Sequence, residues 1–429
     1  MFEDRYLELL SEELLVALGC TEPAAIALAA ATARKYLKGQ EIVRISVNAS
    51  TDVIKNAMNV KIAGTNSCGI GLAAAIGALN KQNQIGLEIF EGLDSITMEK
   101  AGELILSGKV SVNTAESKDA LFIEVILETI NSVSRAVLEK THTNITLIEA
   151  DGEIITESIN KENRKNTSFI TIESIWKFIN HIDIKKLGII KQTIELNKAI
   201  GKEGLENAYG LQVGRTIMNK LGNGILPDNI FSYAMALTSA GCDARMAGSP
   251  LKVMSNSGSG NQGIASTLPV LAIWEKTGLS EEKLIRAVAL SNLITIHIKL
   301  QFGRISALCG ATIAAAGASC GITYLLGGGI TEIKSSIQNI AGNLTGMLCD
   351  GAKAGCALKI STCTGAAVLS ALMAIDGVSI QPSDGIIENN PEKTISNIST
   401  LGNKGALEAD KIILSILLKK ENAKVKEAY

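Results

Sequence analysis

Three cysteines in the last third of the chain form the residue pattern with the clearest chemical meaning. Cys309 stands in the run Ser-Ala-Leu-Cys-Gly, and Cys349 and Cys356 enclose a segment with glycines at positions 351 and 355. Three thiolates beside a glycine-lined backbone can hold an iron–sulfur cluster and leave one iron without a cysteine ligand. Such an iron is a Lewis acid, so this pattern indicates chemistry more than scaffolding.

The cysteines of this chain could also have purely structural roles. Eight cysteines occur in 429 residues, which is too few for a secreted disulfide scaffold and fits a reduced protein. Free cysteines are commonly small buried hydrophobic residues, and each of the three taken alone allows that alternative. A zinc site is not indicated, because the sequence lacks the close cysteine pairs and neighbouring histidines that such sites use.

A fourth cysteine, Cys20, stands far away in the run Gly-Cys-Thr-Glu-Pro. Apolar spacing predicts a helix over Tyr6–Leu18 that ends at Gly19, and a second helix, capped by Thr21, that extends through Tyr36. A helix N-terminus lowers the pKa of a thiol, so Cys20 could act as a general base, although the adjacent Glu22 opposes that effect. The alternative is a packing cysteine at a corner between helices.

The run 254–263 (Met-Ser-Asn-Ser-Gly-Ser-Gly-Asn-Gln-Gly) leads into a helix predicted over Ile264–Trp274. Its backbone N–H groups could bind an anion such as a substrate carboxylate, which makes Gly260, Asn261 and Gln262 candidate substrate-binding residues. The run matches neither a phosphate-binding loop nor a dinucleotide fingerprint. A flexible loop is the alternative.

The chain has three histidines: His142, His181 and His297. Each could orient a substrate, and we take His142, at a predicted strand edge, as a candidate substrate-binding residue. A lone histidine more often has a structural role, which remains the alternative for all three.

The overall charge excludes several functions. A net charge of -2 provides no basic surface for nucleic acid or for an anionic membrane. The acidic opening is not a signal peptide, so we expect a cytoplasmic protein. The uncharged stretch Ile305–Thr331 is long enough to span a membrane, but its Gly, Ala and Ser content and the 3% of aromatic residues favour a buried helix pair. A small-residue membrane transporter is the alternative.

The fold class predicted from these patterns is α+β. Alternating residues predict strands over Glu41–Asn48, Val110–Asn113, Phe122–Thr129 and Ser132–Glu139, followed by a hairpin over 144–155. A polar linker is predicted over Ser158–Ser168, and helical spacing dominates from Ile172 onward. We therefore predict a smaller α+β domain over residues 1–160 and a larger all-α domain over 170–429 that carries the cluster cysteines.

Several longer runs together carry a family resemblance. They are Gly-Cys-Thr-Glu-Pro-Ala-Ala-Ile-Ala (19–27), Gly-Ser-Gly-Asn-Gln-Gly (258–263), Ser-Ala-Leu-Cys-Gly (306–310), Gly-Ala-Ser (317–319) and Cys-Asp-Gly-Ala-Lys-Ala-Gly-Cys (349–356). In these runs the chain resembles the L-cysteine desulfidase family, which is related to the α-chain of the iron–sulfur L-serine dehydratases. The resemblance extends from about residue 7 to the C-terminal region.

The resemblance implies an oxygen-sensitive [4Fe–4S] cluster held by Cys309, Cys349 and Cys356. Either Cys320 or Cys363 could replace one of these ligands. The catalytic cysteine of the family corresponds to Cys20, as the proton acceptor, and the family does not use pyridoxal phosphate.

The expected activity is therefore β-elimination of L-cysteine to sulfide, pyruvate and ammonia. An L-serine dehydratase is the nearest alternative, because the two substrates differ by one atom. A cluster-bearing redox sensor is a third possibility, which the lack of a DNA-binding pattern disfavours. The Gly- and Ala-rich helices could pack against a second subunit, which would make the protein a homodimer.

Overall fold

The computed structural model describes residues 2–39, 41–65, 67–80, 86–117, 119–157, 167–303 and 306–427. The chain forms two compact units, each assembled from separate stretches of sequence. The α+β unit comprises residues 17–164, 350–353 and 407–429, and the helical unit comprises residues 1–16, 165–349 and 354–406. Most of the predicted linker, residues 158–166, lies outside the described residues.

Most strands lie in the first 157 residues, and the described elements after them are helices, except for one short strand. In chain order, the elements are α1 (Phe2–Glu13), β1 (Val16–Leu18), α2 (Thr21–Tyr36), β2 (Arg44–Ala49), α3 (Thr51–Ala57), α4 (Ile70–Leu79), α5 (Ser95–Leu106), β3 (Val110–Thr114), β4 (Phe122–Glu128), β5 (Val133–Glu139), β6 (Ile145–Ala150), β7 (Glu153–Glu157), α6 (Ile172–His181), α7 (Gly188–Glu206), α8 (Val213–Gly222), α9 (Ile230–Met246), β8 (Lys252–Met254), α10 (Gly260–Thr277), α11 (Glu281–Phe302), α12 (Gly310–Leu325), α13 (Ile330–Leu344), α14 (Cys356–Ile375), α15 (Pro391–Thr400) and α16 (Leu407–Glu427). The predicted α+β class is confirmed.

A six-stranded sheet organises the α+β unit, in the order β3-β2-β4-β5-β6-β7. β2 and β3 are parallel, and the remaining neighbours are antiparallel. Alternate residues of β4 are buried, as its sequence predicts, and α2 packs against β4, β5 and β6. The strands predicted over residues 41–155 are confirmed, with ends shifted by a few residues.

The prediction of one helix over Tyr6–Leu18 is wrong, because α1 ends at Glu13 and β1 follows. Backbone carbonyls that a longer helix would use internally accept hydrogen bonds from elsewhere in the helical unit. The Glu13 carbonyl accepts from the Ser257 N–H at 2.9 Å, and the Leu15 carbonyl accepts from the Ser255 N–H at 2.8 Å. These tertiary bonds outweigh the local helical spacing.

Two further boundaries differ from the prediction. Gly19, with φ +72°, follows a strand instead of ending a helix. Cys20 is the N-cap residue of α2, and Thr21 is its first helical residue. The second difference places the thiol-bearing residue itself at the helix entrance.

The uncharged stretch that begins at Ile305 forms one buried helix, α12, and the next helix starts only at Ile330. The predicted helix pair within this stretch is therefore wrong, whereas burial is confirmed for most of α12. Across the part of the chain that the structure describes, one helix, α14, is long and apolar enough to cross a membrane. Of its most apolar 18 residues, 61% are buried inside the protein.

Close helix packing in the helical unit depends on glycine. A Cβ at Gly204 in α7 would lie 1.9 Å from the Ala240 carbonyl oxygen in α9, and one at Gly214 in α8 would lie 2.4 Å from the Ala236 carbonyl oxygen. No side chain fits at such separations, so these glycines allow α9 to approach both neighbours. The C-terminal end of α9 is thereby fixed in position.

We predict that Gly204→Ala lowers the free energy of unfolding by about 1–3 kcal/mol, because the added methyl group must push α7 and α9 apart. Gly222→Ala is the control, since a Cβ there meets nothing within 4 Å. The control should change the free energy of unfolding by less than about 0.5 kcal/mol. Denaturant unfolding of both variants measures this, and equal stabilities would contradict the packing described.

Candidate functional site

Cys309 and Cys349, forty residues apart in sequence, are brought together by a backbone bridge between Leu308 and Leu348. The Cys309 N–H donates to the Met347 carbonyl at 2.9 Å, and the Cys349 N–H donates to the Ala307 carbonyl at 2.8 Å. The two cysteines are therefore held by the main chain in an antiparallel pairing. Cys309 is also the N-cap residue of α12.

The electrostatics place Cys356 in the same neighbourhood. Burial, followed by the nearby Cys349 and Cys356 thiols, raises the pKa of Cys309 to about 12. Groups perturb one another in this way only at short range, so the three predicted ligands share one environment. Without a positive partner, this environment disfavours thiolates.

The segment between Cys349 and Cys356 is an irregular loop, as its glycines predict, and α14 begins at Cys356. Gly351 has φ +94°, and a Cβ there would lie 2.5 Å from the Lys55 carbonyl oxygen within the α+β unit. Glycine is required at this position on both counts.

The structure distinguishes the two extra thiols. Cys363 lies near the three predicted ligands. Its Sγ is 3.7 Å from the Sδ of Met347, the residue whose carbonyl pairs with Cys309, and its pKa is raised by burial and then by the Cys309 thiol. Cys320 instead lies 3.7 Å from the Ser336 hydroxyl, and it follows Cys309 by eleven helical residues, a rise of about 16 Å. Cys363 is therefore the additional thiol close to the predicted ligands.

The donor set fits a cluster better than a single ion. In the described residues, no three His, Cys, Asp or Glu side chains are arranged to hold one metal ion. The cysteines of an iron–sulfur cluster bind different irons, so their sulfurs need not converge on a point. Lys359 adds positive charge, since its Nζ donates to the Leu348 carbonyl at 2.7 Å and its charge favours the Cys309 thiolate.

The glycine-rich run contains a tight turn followed by a helix start. Ser257 and Gly258 have φ of 49° and 84°, and the Asn256 and Ser259 backbones exchange hydrogen bonds at 3.1 and 3.0 Å. Two positive φ values in a two-residue connection describe a type I′ turn. The Ser259 hydroxyl then accepts from the Gln262 N–H, so α10 begins at Gly260 and not at Ile264 as predicted.

Buried asparagines hold this turn in place. The Asn197 amide donates to the Met254 and Gly263 carbonyls, each at 3.2 Å, and its Oδ1 accepts from the Met254 N–H at 3.0 Å. The Asn256 amide donates to the Asn292 Oδ1 at 2.9 Å. All three asparagines are fully buried. The alternative of a flexible loop is therefore wrong.

Gln262 links the turn to the cysteine region. Its Nε2 donates to the Asn256 backbone carbonyl at 3.3 Å, and a carbonyl can only accept, so the other amide atom is the oxygen. That Oε1 has no hydrogen-bond partner among the described residues, and a Cβ at Gly310 would lie 3.0 Å from it. The turn and the residue after Cys309 are therefore neighbours, and Gln262 offers an acceptor there.

The first turn of α10 meets a buried arginine. A Cβ at Gly260 would lie 2.3 Å from the Arg245 Nε and 2.9 Å from its Nη2. Arg245 is 4% exposed. Next to it, the Asn261 Nδ2 contacts the Met246 sulfur at 3.4 Å, which is a weak acceptor.

In the α+β unit, Cys20 precedes Glu22 by two residues, and His142 approaches the Glu22 carboxylate from a distant part of the chain. Cys20 is 2% exposed and His142 is 4% exposed. The Glu22 carboxylate accepts from the Asn56 amide at 3.1 Å, and the His142 Nε2 lies 3.9 Å from it. The hydrogen bond from Asn56 offsets part of the negative charge that would otherwise oppose a thiolate at Cys20.

The other two histidines have local partners. The His181 Nδ1 contacts the Lys177 carbonyl at 2.7 Å within its own helix. The His297 Nε2 contacts the Glu392 carboxylate at 2.7 Å. Burial raises the pKa of Glu392, but the hydrogen bond and charge of His297 oppose this, and the pKa lies below its usual value. Both contacts are of the structural kind.

Sequence reasoning missed five polar residues of this region, which are Arg245, Lys359, Asn197, Asn256 and Asn292. Each lies inside an apolar or small-residue helix or beside a glycine run, where spacing alone predicts only burial. For the four that are buried, all but Lys359, the signal that could have found them is polarity at a core position, because buried polar groups are normally satisfied or functional.

Comparison with known proteins places the chain in a family. A sequence profile described as "Serine dehydratase alpha chain" matches residues 86–415. The chain is 42% identical over 421 residues to a "UPF0597 protein" of Oleidesulfovibrio alaskensis, with 97% of this chain and 98% of that protein covered. It is 42% identical to a "UPF0597 protein" of Clostridium perfringens over 420 residues and 39% identical to one of Parabacteroides distasonis over 423 residues, with the same coverage. The chain therefore belongs to the serine dehydratase alpha-chain family.

Proposed function

We propose that the protein is an iron–sulfur-dependent lyase that eliminates sulfide from L-cysteine to give pyruvate and ammonia. The observation that carries this proposal is the backbone pairing that joins Cys309 to Cys349 next to the Gln262 amide. Membership of a family of dehydratases supports a lyase. Such an enzyme needs no pyridoxal phosphate and would work in the cytoplasm.

In this proposal Cys309, Cys349 and Cys356 hold a [4Fe–4S] cluster, and Cys363 stays outside the ligand set. When bound, the cluster supplies one iron that lacks a cysteine ligand and is a Lewis acid. The positive charge of Lys359 favours the thiolate form that ligation requires.

The first turn of α10 binds the substrate in our proposal. The N–H groups of Gly260 and Asn261 belong to the helix start, where no intrahelical acceptor exists, and they suit a carboxylate. The Gln262 Oε1 is an acceptor, so it suits the substrate ammonium group and not, as the sequence suggested, the carboxylate. Together these groups recognise an α-amino acid.

Cys20 is the proposed base, and its position at the N-cap of α2 supports a thiolate. The thiolate takes the α-proton, the C–S bond breaks, and its electron pair leaves with sulfur as sulfide. The remaining 2-aminoacrylate takes a proton to become the imine, and one water hydrolyses the imine to pyruvate and ammonia. His142, beside Glu22, is proposed to support substrate binding.

L-Serine is the second candidate substrate, because the matching profile is described as a serine dehydratase chain. The same steps then expel hydroxide instead of sulfide. The residues proposed to bind the carboxylate and ammonium groups are the same for both substrates, so the leaving group decides between them.

We predict that Cys349→Ala loses most of its iron and acid-labile sulfide after anaerobic reconstitution, because one of three ligands is removed. Cys320→Ala is the control, since Cys320 is a buried thiol that lies beside Ser336 and away from the three predicted ligands. The control, and Cys363→Ala, should retain the cluster absorbance. A full iron complement in Cys349→Ala would contradict the ligand assignment.

We predict that Cys20→Ser keeps the cluster but loses at least about a hundredfold in turnover, the scale of general-base catalysis. The hydroxyl is similar in size to the thiol, but it does not ionise near neutral pH. Pyruvate release measures turnover, and iron content measures the cluster. Normal turnover in this variant would show that another group removes the proton.

A further inference from the structure

Arg245 is a buried cation without an ion-pair partner among the described residues. Its side chain belongs to the last turn of α9 and is 4% exposed. Its Nε has no hydrogen-bond partner, and no salt bridge formed by the described residues includes it. Arg286 shows the usual arrangement, with a carboxylate from Glu282 at 2.8 Å and the Ile179 carbonyl as acceptors.

An arginine in this state is costly. Guanidinium does not lose its proton in proteins, so burial cannot neutralise it. A buried charge without a partner lowers stability, and natural proteins keep such a group where a ligand supplies the missing charge. The energetic cost of Arg245 therefore points to an anion.

The location of the guanidinium identifies the place of that anion. A Cβ at Gly260 would lie 2.3 Å from Nε, 2.7 Å from Cζ and 2.9 Å from Nη2, so the guanidinium lies directly against the first residue of α10. The N–H groups of this eighteen-residue helix start point to the same region, and they favour negative charge. Two independent features thus favour an anion at one position.

We propose that Arg245 binds the carboxylate of the substrate, together with the first-turn N–H groups of α10. This inference rests on the proposed function only for the identity of the ligand as a small α-amino acid. A planar fork of donors matches a carboxylate, which accepts two parallel hydrogen bonds. Glycine at position 260 leaves the space that the guanidinium needs, which explains why a glycine stands there.

The test measures binding in the anaerobically reconstituted full chain, with two probes: L-serine, and L-serinamide, which keeps the amino group but lacks the carboxylate. Wild-type protein should show a melting temperature that rises with L-serine and not with L-serinamide. Arg245→Met should bind L-serine about 10- to 100-fold more weakly, as expected for a lost charged hydrogen bond. Arg215→Met, on the neighbouring helix α8, is the control and should bind normally.

The melting temperatures of the ligand-free proteins distinguish a binding role of Arg245 from a structural one. Removing an unpaired buried charge should leave the melting temperature of Arg245→Met equal to or above that of wild type. A melting temperature several degrees lower, or unchanged L-serine affinity, would overturn the inference. Arg245→Lys, which keeps the charge but loses the fork, is the second variant and must also show the weakened binding.

Failure of the proposed function is distinguishable from failure of this inference. Carboxylate binding that depends on Arg245, without release of sulfide or pyruvate, would support the carboxylate site and contradict the lyase. Product release by Arg245→Met at wild-type KM would support the lyase and overturn the role of Arg245.

Discussion

The helical unit depends on satisfying the polar backbone of a turn that lies inside the protein. The turn at 256–259 would be costly in an apolar interior, because each unpaired backbone group forfeits a hydrogen bond. The pairing within the turn, the Glu13 carbonyl and the Gln262 amide supply those bonds. The Asn197 amide, from α7, binds the backbone on either side of the turn, at Met254 and Gly263. These hydrogen bonds fix the start of α10, and every group that we assign to substrate binding in this unit lies on or against that helix start.

The same constraint explains the neighbouring parts of the fold. The carbonyls of Glu13 and Leu15, at and just after the end of α1, accept hydrogen bonds from Ser257 and Ser255, so α1 ends early. Glycines such as Gly204 let two helices approach until their backbones are in contact, which fixes the end of α9. Rigid surroundings of this kind allow a charged residue to remain desolvated and ready for a ligand, instead of swinging out to water.

The sequence predicted the strands of the sheet well, because strands such as β4 alternate between buried and half-buried residues. It also predicted the loop between Cys349 and Cys356 from two glycines. It failed where long-range hydrogen bonds decide, as at Glu13, and it could not detect Arg245, because local patterns do not report an absent ion-pair partner. The roles of Cys20 and of the three ligand cysteines remain predictions.

The central claim is that this chain carries out a β-elimination. The most direct measurement is the release of sulfide and pyruvate from L-cysteine, by protein purified and reconstituted without oxygen, with L-serine assayed in parallel. The account predicts sulfide and pyruvate from L-cysteine in equal amounts, and their loss when the protein is exposed to air. Pyruvate from L-serine alone would change the substrate and keep the reaction class. Release of no product from either amino acid by protein with a full iron complement would contradict the account.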